Sequence, residues 1–328
     1  MTKPLRWGIL STGNIARNMT EDVLRSANSI VTAVASRSID KAQAFAQQYQ
    51  IHSAYGDYQS LCESDDVDVI YIGTPHSEHF SNIKMALQAG KHVLCEKPLT
   101  LNYRQASECV ALARSAGTFF MEAVWMRFFP IVTEVKRAIA QGQIGEPLNL
   151  SASFCIDIPY DTEHRLFNRA LGGGALLDLG IYPLSFALFM FGDPVSVKGR
   201  AELSKEQVDI VNDVQITFEN GAVANLKSAT LSSEPQVAVI NGTKGKITIN
   251  ERFFCPTSAI IQEFAKSEPE LIDTPWSGNG YQFEIAEVEQ CIANGLTESA
   301  VMPLNATLGT MKIMDELRKQ WGVYYDCD

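Results

Sequence analysis

The chain has 328 residues, 46% hydrophobic and 20% charged, which leaves room for two domains with separate cores and excludes a disordered protein. Its net charge is −11 and no Lys/Arg-rich run is present, so the overall field repels phosphate backbones and no nucleic-acid partner is expected. The seven cysteines (Cys62, Cys95, Cys109, Cys155, Cys255, Cys291, Cys327) are scattered and never form a CxxC pair, an arrangement expected of a cytoplasmic protein without a disulfide framework or structural zinc.

The first 125 residues alternate short apolar strands with amphipathic helical stretches. Residues 5–10 read as a strand that leads straight into a glycine turn, with no cleavage site behind it. Residues 15–25 read as a helix and 30–35 as a strand, after which Asp40 is expected to cap a helix through Gln48. The run 67–72, bounded by Asp65, Asp66 and Gly73, suits a strand buried on both faces. A helix over 77–89 stops at Gly90, a strand covers 92–95, a helix covers 102–116 and ends at Gly117, and a last strand covers 119–124. Such alternation predicts a doubly wound parallel Rossmann sheet in an N-terminal domain, 1–124.

The second half reads differently. Segments 148–156, 195–202, 214–218, 222–229 and 246–250 look like strands, with turns at 219–221 and 241–245. One helix starts near Gly174 and two more occupy 281–293 and 305–320. The expectation is an α/β fold whose C-terminal domain, 125–328, carries a large, open, mostly antiparallel sheet, with the last helix a candidate to pack back on the first domain. The most apolar stretch, 175–191, is interrupted by Asp178, Tyr182 and Pro183 and is too short for a bilayer span, so no membrane partner is expected.

After the first strand comes Ser11-Thr12-Gly13-Asn14-Ile15-Ala16, a G-x-G-x-x-G/A pattern with serine in the first glycine position. Gly13 lets the backbone approach a pyrophosphate, Ala16 allows close helix–strand packing, and the helix start at Asn14 and Ile15 offers N–H groups to the anion. At the end of the second strand, where an NAD site usually offers an acid to the ribose 2′-hydroxyl, the chain has Ser36-Arg37-Ser38 with Lys41 one turn beyond. Arg37 can pair with a 2′-phosphate and stack on adenine while the two serines donate hydroxyls, so NADP(H) is the expected cofactor. Thr74-Pro75 follows the next strand, where the chain turns under the nicotinamide ribose. Glu96-Lys97-Pro98 puts a lysine at the carboxyl edge of the sheet. The run from Gly172 to Tyr182 (Gly-Gly-Gly-Ala-Leu-Leu-Asp-Leu-Gly-Ile-Tyr) opens a helix on which Asp178 and Tyr182, four apart, share a face. No strand precedes the three glycines, so close helix packing accounts for them better than a second phosphate loop.

These motifs, together with the run Glu122–Pro130 and Gly242-Thr243-Lys244-Gly245, make the chain resemble the Gfo/Idh/MocA oxidoreductase family over nearly its whole length. Within it the chain is similar to the branch of dimeric dihydrodiol dehydrogenases and NADP-dependent D-xylose dehydrogenases, which has tyrosine where most members have histidine at position 182. The resemblance implies hydride transfer between nicotinamide and a secondary alcohol or carbonyl of a sugar, vicinal diol or dicarbonyl. Tyr182 would exchange the proton, Lys97 would stabilise its phenolate, and Asp178 would orient substrate hydroxyls or Lys97. A tyrosine must lose about three units from a pKa near 10 to act at neutrality, on the order of 4 kcal/mol, which a nearby ammonium can supply.

The remaining candidates divide between ligand contacts and structure. His79 matches a family position near the nicotinamide, while His76 reads as a helix-start residue. The two are three apart and lack a third ligand, so no metal is expected. Trp125 can wall the substrate or sit in a junction core. Arg127 can touch substrate or buttress the lysine loop, with the structural role favoured. Phe154 and Asp157, at the end of the first strand of the second domain, are candidate substrate contacts, and the phenylalanines at 186, 189 and 191 read as helix core. Two other functions stand as alternatives, a non-catalytic dinucleotide-binding regulator and a glycosidase with tightly held NAD. The resemblance also implies a homodimer through the C-terminal sheet.

Overall fold

The computed structural model describes residues 3–328. The strands and helices of the first part are β1 (Leu5–Leu10), α1 (Asn14–Val23), β2 (Ser29–Ala35), α2 (Ile39–Tyr49), β3 (Ser53–Tyr55), α3 (Tyr58–Cys62), β4 (Val69–Ile72), α4 (His76–Gln88), β5 (His92–Glu96), α5 (Tyr103–Ala116) and β6 (Phe120–Ala123). All six strands run parallel in the order β3-β2-β1-β4-β5-β6. Strand order reverses at β1, which lies between β2 and β4, so a crevice opens at the carboxyl ends of β1 and β4. All four residues of β4 are buried, as an apolar run covered on both faces requires. The expected cap of α2 is corrected: Ser38, in extended backbone, accepts from the Lys41 N–H, and Asp40 lies inside the first turn. Asp57 and Asn102 cap α3 and α5 in the same way.

The second part is built from α6 (Pro130–Ala140), β7 (Pro147–Cys155), a π-helical turn Leu176–Gly180 that leads into α7 (Ile181–Phe191), and the strands β8 (Pro194–Leu203), β9 (Asp209–Phe218), β10 (Val223–Ala229), β11 (Ala238–Gly242), β12 (Gly245–Ile249), β13 (Ser258–Glu263) and β14 (Glu270–Asp273). They form one eight-stranded sheet in the order β14-β13-β12-β11-β7-β10-β9-β8. Only the β7–β10 pair is parallel, so the sheet is mostly antiparallel, as expected. Along β10, Ala224, Leu226 and Ser228 are buried while Val223, Asn225 and Lys227 are not, the period-two pattern of a sheet covered on one face. The helical run Arg169–Phe191 has the length and apolarity of a membrane span, yet 83% of its most apolar window is buried within the fold. Of its phenylalanines only Phe186 is fully buried; Phe189 and Phe191 are half-buried.

Two helices complete the chain, α8 (Gln282–Ala293) and α9 (Leu304–Trp321). By its contacts the chain divides into two compact units: one runs as far as Trp125 and also takes in Ser277–Leu308, the other comprises Met126–Trp276 and Gly309–Asp328. The first crossing lies one residue from the expected cut after 124, and the return of 277–308 has no counterpart in a single cut. Buried Asp22, on α1, explains that return, because its carboxylate accepts from the backbone N–H of Asn279 (3.0 Å) and Tyr281 (2.9 Å). Glu289 of α8 accepts from the hydroxyls of Ser26 and Ser29, both at 2.5 Å. On the far side of the sheet the Phe120 N–H donates to the Thr297 carbonyl at 3.0 Å.

One carboxyl in this unit is held differently. Glu284 of α8 is fully buried and neither of its oxygens has a hydrogen-bond partner. Burial, reinforced by the charges of Glu96 and Asp22, pushes its pKa well above the ordinary range, which favours the neutral acid over the carboxylate. The sign of the linkage follows. Above the unfolded carboxyl pKa near 4.3 the unfolded state has lost the proton that the folded state keeps, so this group lowers stability as pH rises, by at most about 1.4 kcal/mol per pH unit. Glu284→Gln carries no such proton. Its stability relative to the native chain is expected to increase steadily between pH 5 and pH 8 in denaturant melts, and a pH-independent difference would contradict a neutral Glu284.

Candidate active site

The loop after β1 carries the dinucleotide pattern. Ser11 has φ 126°, a region that glycine adopts freely and other residues occupy at a cost of about 1–3 kcal/mol. The serine therefore keeps the turn that the pattern's first glycine would make. Its Oγ accepts from the Gly13 N–H at 3.2 Å. Gly13 stands at the N-cap of α1 and no side chain caps that helix, which leaves the first-turn N–H groups directed at the loop. Ala16 is fully buried, which lets α1 lie close on the sheet. A Cβ on Gly73, at the end of β4, would come within 3.0 Å of the Tyr71 ring and 3.3 Å of Ile15.

From this loop an open groove of about 580 Å³ runs past Ser11, Thr12 and Gly13 to Ser36, Arg37, Ser38 and Lys41, with Arg17, Phe45, Tyr58 and Pro75 also along it. No acidic side chain lines it, and three cations do. Arg17 is the cation that sequence reasoning missed: its guanidinium lies 5.5 Å above the Phe45 ring and donates to Gln48 at 2.7 Å. The Tyr58 phenol is pushed up by burial and drawn back down by the charge of Arg37, which sets that guanidinium beside an aromatic ring. A dinucleotide with a 2′-phosphate fits this lining: amides at one end of the groove, cations and hydroxyls at the other.

Two further loops of this unit are tied together by His79. Its ring is fully buried, with Nε2 2.9 Å from the Thr74 carbonyl and Nδ1 2.9 Å from the Pro98 carbonyl. Two carbonyls favour the cation, but burial outweighs them and lowers the pKa to about 4. A neutral imidazole therefore lies between the loop after β4 and the loop that carries Lys97, and its single N–H donates to one of the two carbonyls. Asn82 donates to the Thr74 hydroxyl at 3.1 Å, and Tyr71 donates to Glu96 at 2.6 Å. Lys97 is 8% exposed. Trp125 is half-buried and stacks on Tyr281 with ring centroids 4.9 Å apart. His76 and His79 approach edge to face at 5.7 Å. Among the described residues no group of three or more His, Cys, Asp or Glu side chains is gathered to hold a metal ion.

In the second unit Asp178 and Tyr182 are both buried, at 4% and 8% exposure. The regular helix expected there is corrected: Asp178 lies within the π-helical turn and Tyr182 just beyond it, a local widening that recurs at functional sites. Arg165 grips Asp178 with both guanidinium ends, NH1 to Oδ1 at 2.9 Å and NH2 to Oδ2 at 3.0 Å. The Tyr182 ring lies 5.4 Å from both Phe154 and Phe254, which stack on each other at 4.1 Å, nearly parallel. Arg165 and Phe254 escaped the sequence reading because each lies in an irregular loop and meets its partner only in the folded chain. Asp157 is exposed, two residues beyond β7, where it bridges to Leu231. Arg127 is 3% exposed; its Nε donates to the Ser185 hydroxyl at 3.0 Å and its guanidinium lies over Phe189. The glycines before the helix are explained by their own loop rather than by helix packing, since a Cβ on Gly173 would lie 2.8 Å from the carbonyl oxygens of Arg165 and Leu166.

Comparison with known proteins agrees with this geometry. The oxidoreductase family model with an NAD-binding Rossmann fold matches residues 5–124, and the GFO/IDH/MocA C-terminal domain model matches 132–248. A trans-1,2-dihydrobenzene-1,2-diol dehydrogenase from Xenopus laevis is 38% identical, over 98% of this chain and 99% of that protein. The Homo sapiens protein of the same name is 35% identical over 99% of each. Among solved structures, the 3-ketoreductase KijD10 from Actinomadura kijaniata, in complex with NADP and TDP-benzene, superposes with a TM-score of 0.87 at 27% identity, covering 97% of this chain and 98% of that one. An aldose-aldose oxidoreductase from Caulobacter crescentus complexed with glycerol gives 0.88 at 25% identity, covering 97% of each. With both of its domains matched and its relatives alike from end to end, the chain belongs to the Gfo/Idh/MocA family of oxidoreductases, and its first unit is that family's dinucleotide-binding Rossmann domain.

Proposed function

We propose that the protein is an NADP-dependent dehydrogenase or reductase acting on a secondary alcohol or carbonyl of a sugar or vicinal diol, of the trans-dihydrodiol or D-xylose kind. The observation that carries the cofactor preference is the groove at the end of β2, where Arg37, Lys41 and Arg17 stand with two serines and no carboxylate. An acid there would accept a ribose hydroxyl and repel a 2′-phosphate; this lining does the reverse. The substrate class is supported by relatives and neighbours named as a dihydrodiol dehydrogenase, a 3-ketoreductase and an aldose-aldose oxidoreductase.

Ser11, Thr12 and Gly13 would hold the pyrophosphate, with Asn14 and Ile15 at the helix start. Ser36, Arg37, Ser38 and Lys41 would hold the adenosine phosphate, and Thr74, Pro75 and His79 would line the nicotinamide side with Glu96 and Lys97. When bound, the dinucleotide accepts or donates the hydride. Tyr182 takes the hydroxyl proton during oxidation and returns it during reduction, its ring held in orientation by Phe154 and Phe254. Lys97 is the group that would supply a positive charge to the reaction. Asp178, gripped by Arg165, accepts hydrogen bonds from substrate hydroxyls. Trp125 offers an apolar wall. Two such chains pair through the open face of the eight-stranded sheet.

Two variants test this reading. Arg37→Ala is expected to weaken NADPH binding at least about tenfold, roughly 1.4 kcal/mol, and to leave NADH binding within twofold in fluorescence titrations. Equal losses for the two nucleotides would remove Arg37 from 2′-phosphate recognition. Tyr182→Phe is expected to lower kcat by about 100-fold or more while NADPH binds as before. Native turnover in that variant would take Tyr182 out of the chemistry.

A further inference from the structure

A helical segment begins with backbone N–H groups that have no partner inside it, and these need an acceptor when they are buried. The segment that carries Asp178 and Tyr182 has none of its own. It follows three glycines, the residue at its N-cap is Ala175, and no side chain caps it locally. The acceptor comes from 33 residues further along the chain: Asp209, the first residue of β9, takes the Leu176 N–H on Oδ2 at 2.8 Å. The same oxygen accepts from Asn212 Nδ2 at 2.7 Å, which fixes the carboxylate on its strand.

The loop is shaped around that carboxylate. Gly174 has φ 130°, and a Cβ there would lie 2.5 Å from Asp209 Oδ1, so only glycine lets the chain pass. Next to it the Tyr325 hydroxyl donates to the Gly173 carbonyl at 2.6 Å. Asp209 and Tyr325 thus hold the two consecutive glycines and the first helical amide from two separate elements. Asp209 has no exposed surface. Burial pushes its pKa up, opposed by its bonds to Asn212 and Leu176 and by the charge of Arg318.

We propose that Asp209, with Tyr325, is a positioning residue of the reaction: it sets the height and rotation of the π-helical turn and so places the Asp178 carboxylate and the Tyr182 phenol. The inference rests on the reading of those two groups as the ones that act on substrate. A shift of about 1 Å at a reacting group costs on the order of 100-fold in rate, so losing this anchor should appear in turnover and not only in melting temperature. A purely structural anchor would lower stability and leave the turnover of each folded site unchanged.

The test uses trans-1,2-dihydrobenzene-1,2-diol with NADP+, and active sites counted by NADPH titration. Asp209→Asn retains an oxygen for the Leu176 N–H and is expected to keep kcat within about threefold. Asp209→Ala is expected to lose 30-fold or more in kcat per NADPH-binding site, with the NADPH Kd unchanged. Its isotope effect with substrate deuterated at the carbinol carbon should also rise, because hydride transfer becomes the slow step. Tyr325→Phe, the milder change, is expected to lose about three- to tenfold in kcat, and it decides the matter alone should Asp209→Ala not fold. Native kcat in Tyr325→Phe and in every folded Asp209 variant, where Tyr182→Phe is inactive, would overturn the proposal. Turnover that survives in Tyr182→Phe would instead overturn the reading of the site on which it rests.

Discussion

Buried backbone amides at the ends of elements must find an acceptor, and much of this protein is arranged around where they find one. The start of α1 is exposed and has no side-chain cap, so its N–H groups are left open toward the groove. The start of the Asp178 segment is buried and cannot wait for a ligand, so Asp209 satisfies it permanently. The turn before α8 is held by Asp22 through two amides. In the last two cases an oxygen distant in sequence fixes the direction of a helix. The penalty for leaving such a group unpaired, about 1–3 kcal/mol, is large against the net stability of a domain. These few bonds therefore act as strong constraints on geometry.

The same economy shows in the electrostatics. The chain is strongly acidic overall, with a formal net charge of −11, yet its groove concentrates Arg17, Arg37 and Lys41 with no opposing carboxylate. A local positive site in a negative field selects a small anion over a nucleic acid, because long-range repulsion acts on the polymer while the groove acts on one phosphate. Asp178 is held by Arg165, while burial and like charges favour the neutral form of Glu284. His79 is likewise kept neutral by burial, between the Thr74 and Pro98 carbonyls.

The Rossmann half was legible because its signals are local: apolar runs of strand length, glycine stops, and the Ser11–Ala16 pattern. The absence of an acid after β2 was equally plain, and with it Arg37. What escaped was non-local or irregular. β3 has three residues and α3 five, too short for a period to declare itself. Ser38 took the cap expected of Asp40 because the helix begins two residues earlier than its charge pattern suggests. Arg17 reads as an ordinary surface arginine until α1 lies beside Phe45. Arg165, Phe254 and Asp209 each act on the Asp178–Tyr182 segment from another element, and nothing in one sequence reports such pairings. The return of 277–308 to the first unit is of the same kind, since Asp22 and Asn279 lie 257 residues apart.

The most direct measurement of the central claim is the absorbance at 340 nm of the native protein supplied with trans-1,2-dihydrobenzene-1,2-diol or D-xylose and either NADP+ or NAD+. The account predicts reduced nucleotide accumulating with at least one of the two substrates, and a kcat/KM for NADP+ about 100-fold or more above that for NAD+, the roughly 2.7 kcal/mol that a charge-assisted phosphate contact can supply. Turnover that prefers NAD+, or none with either nucleotide, would contradict it.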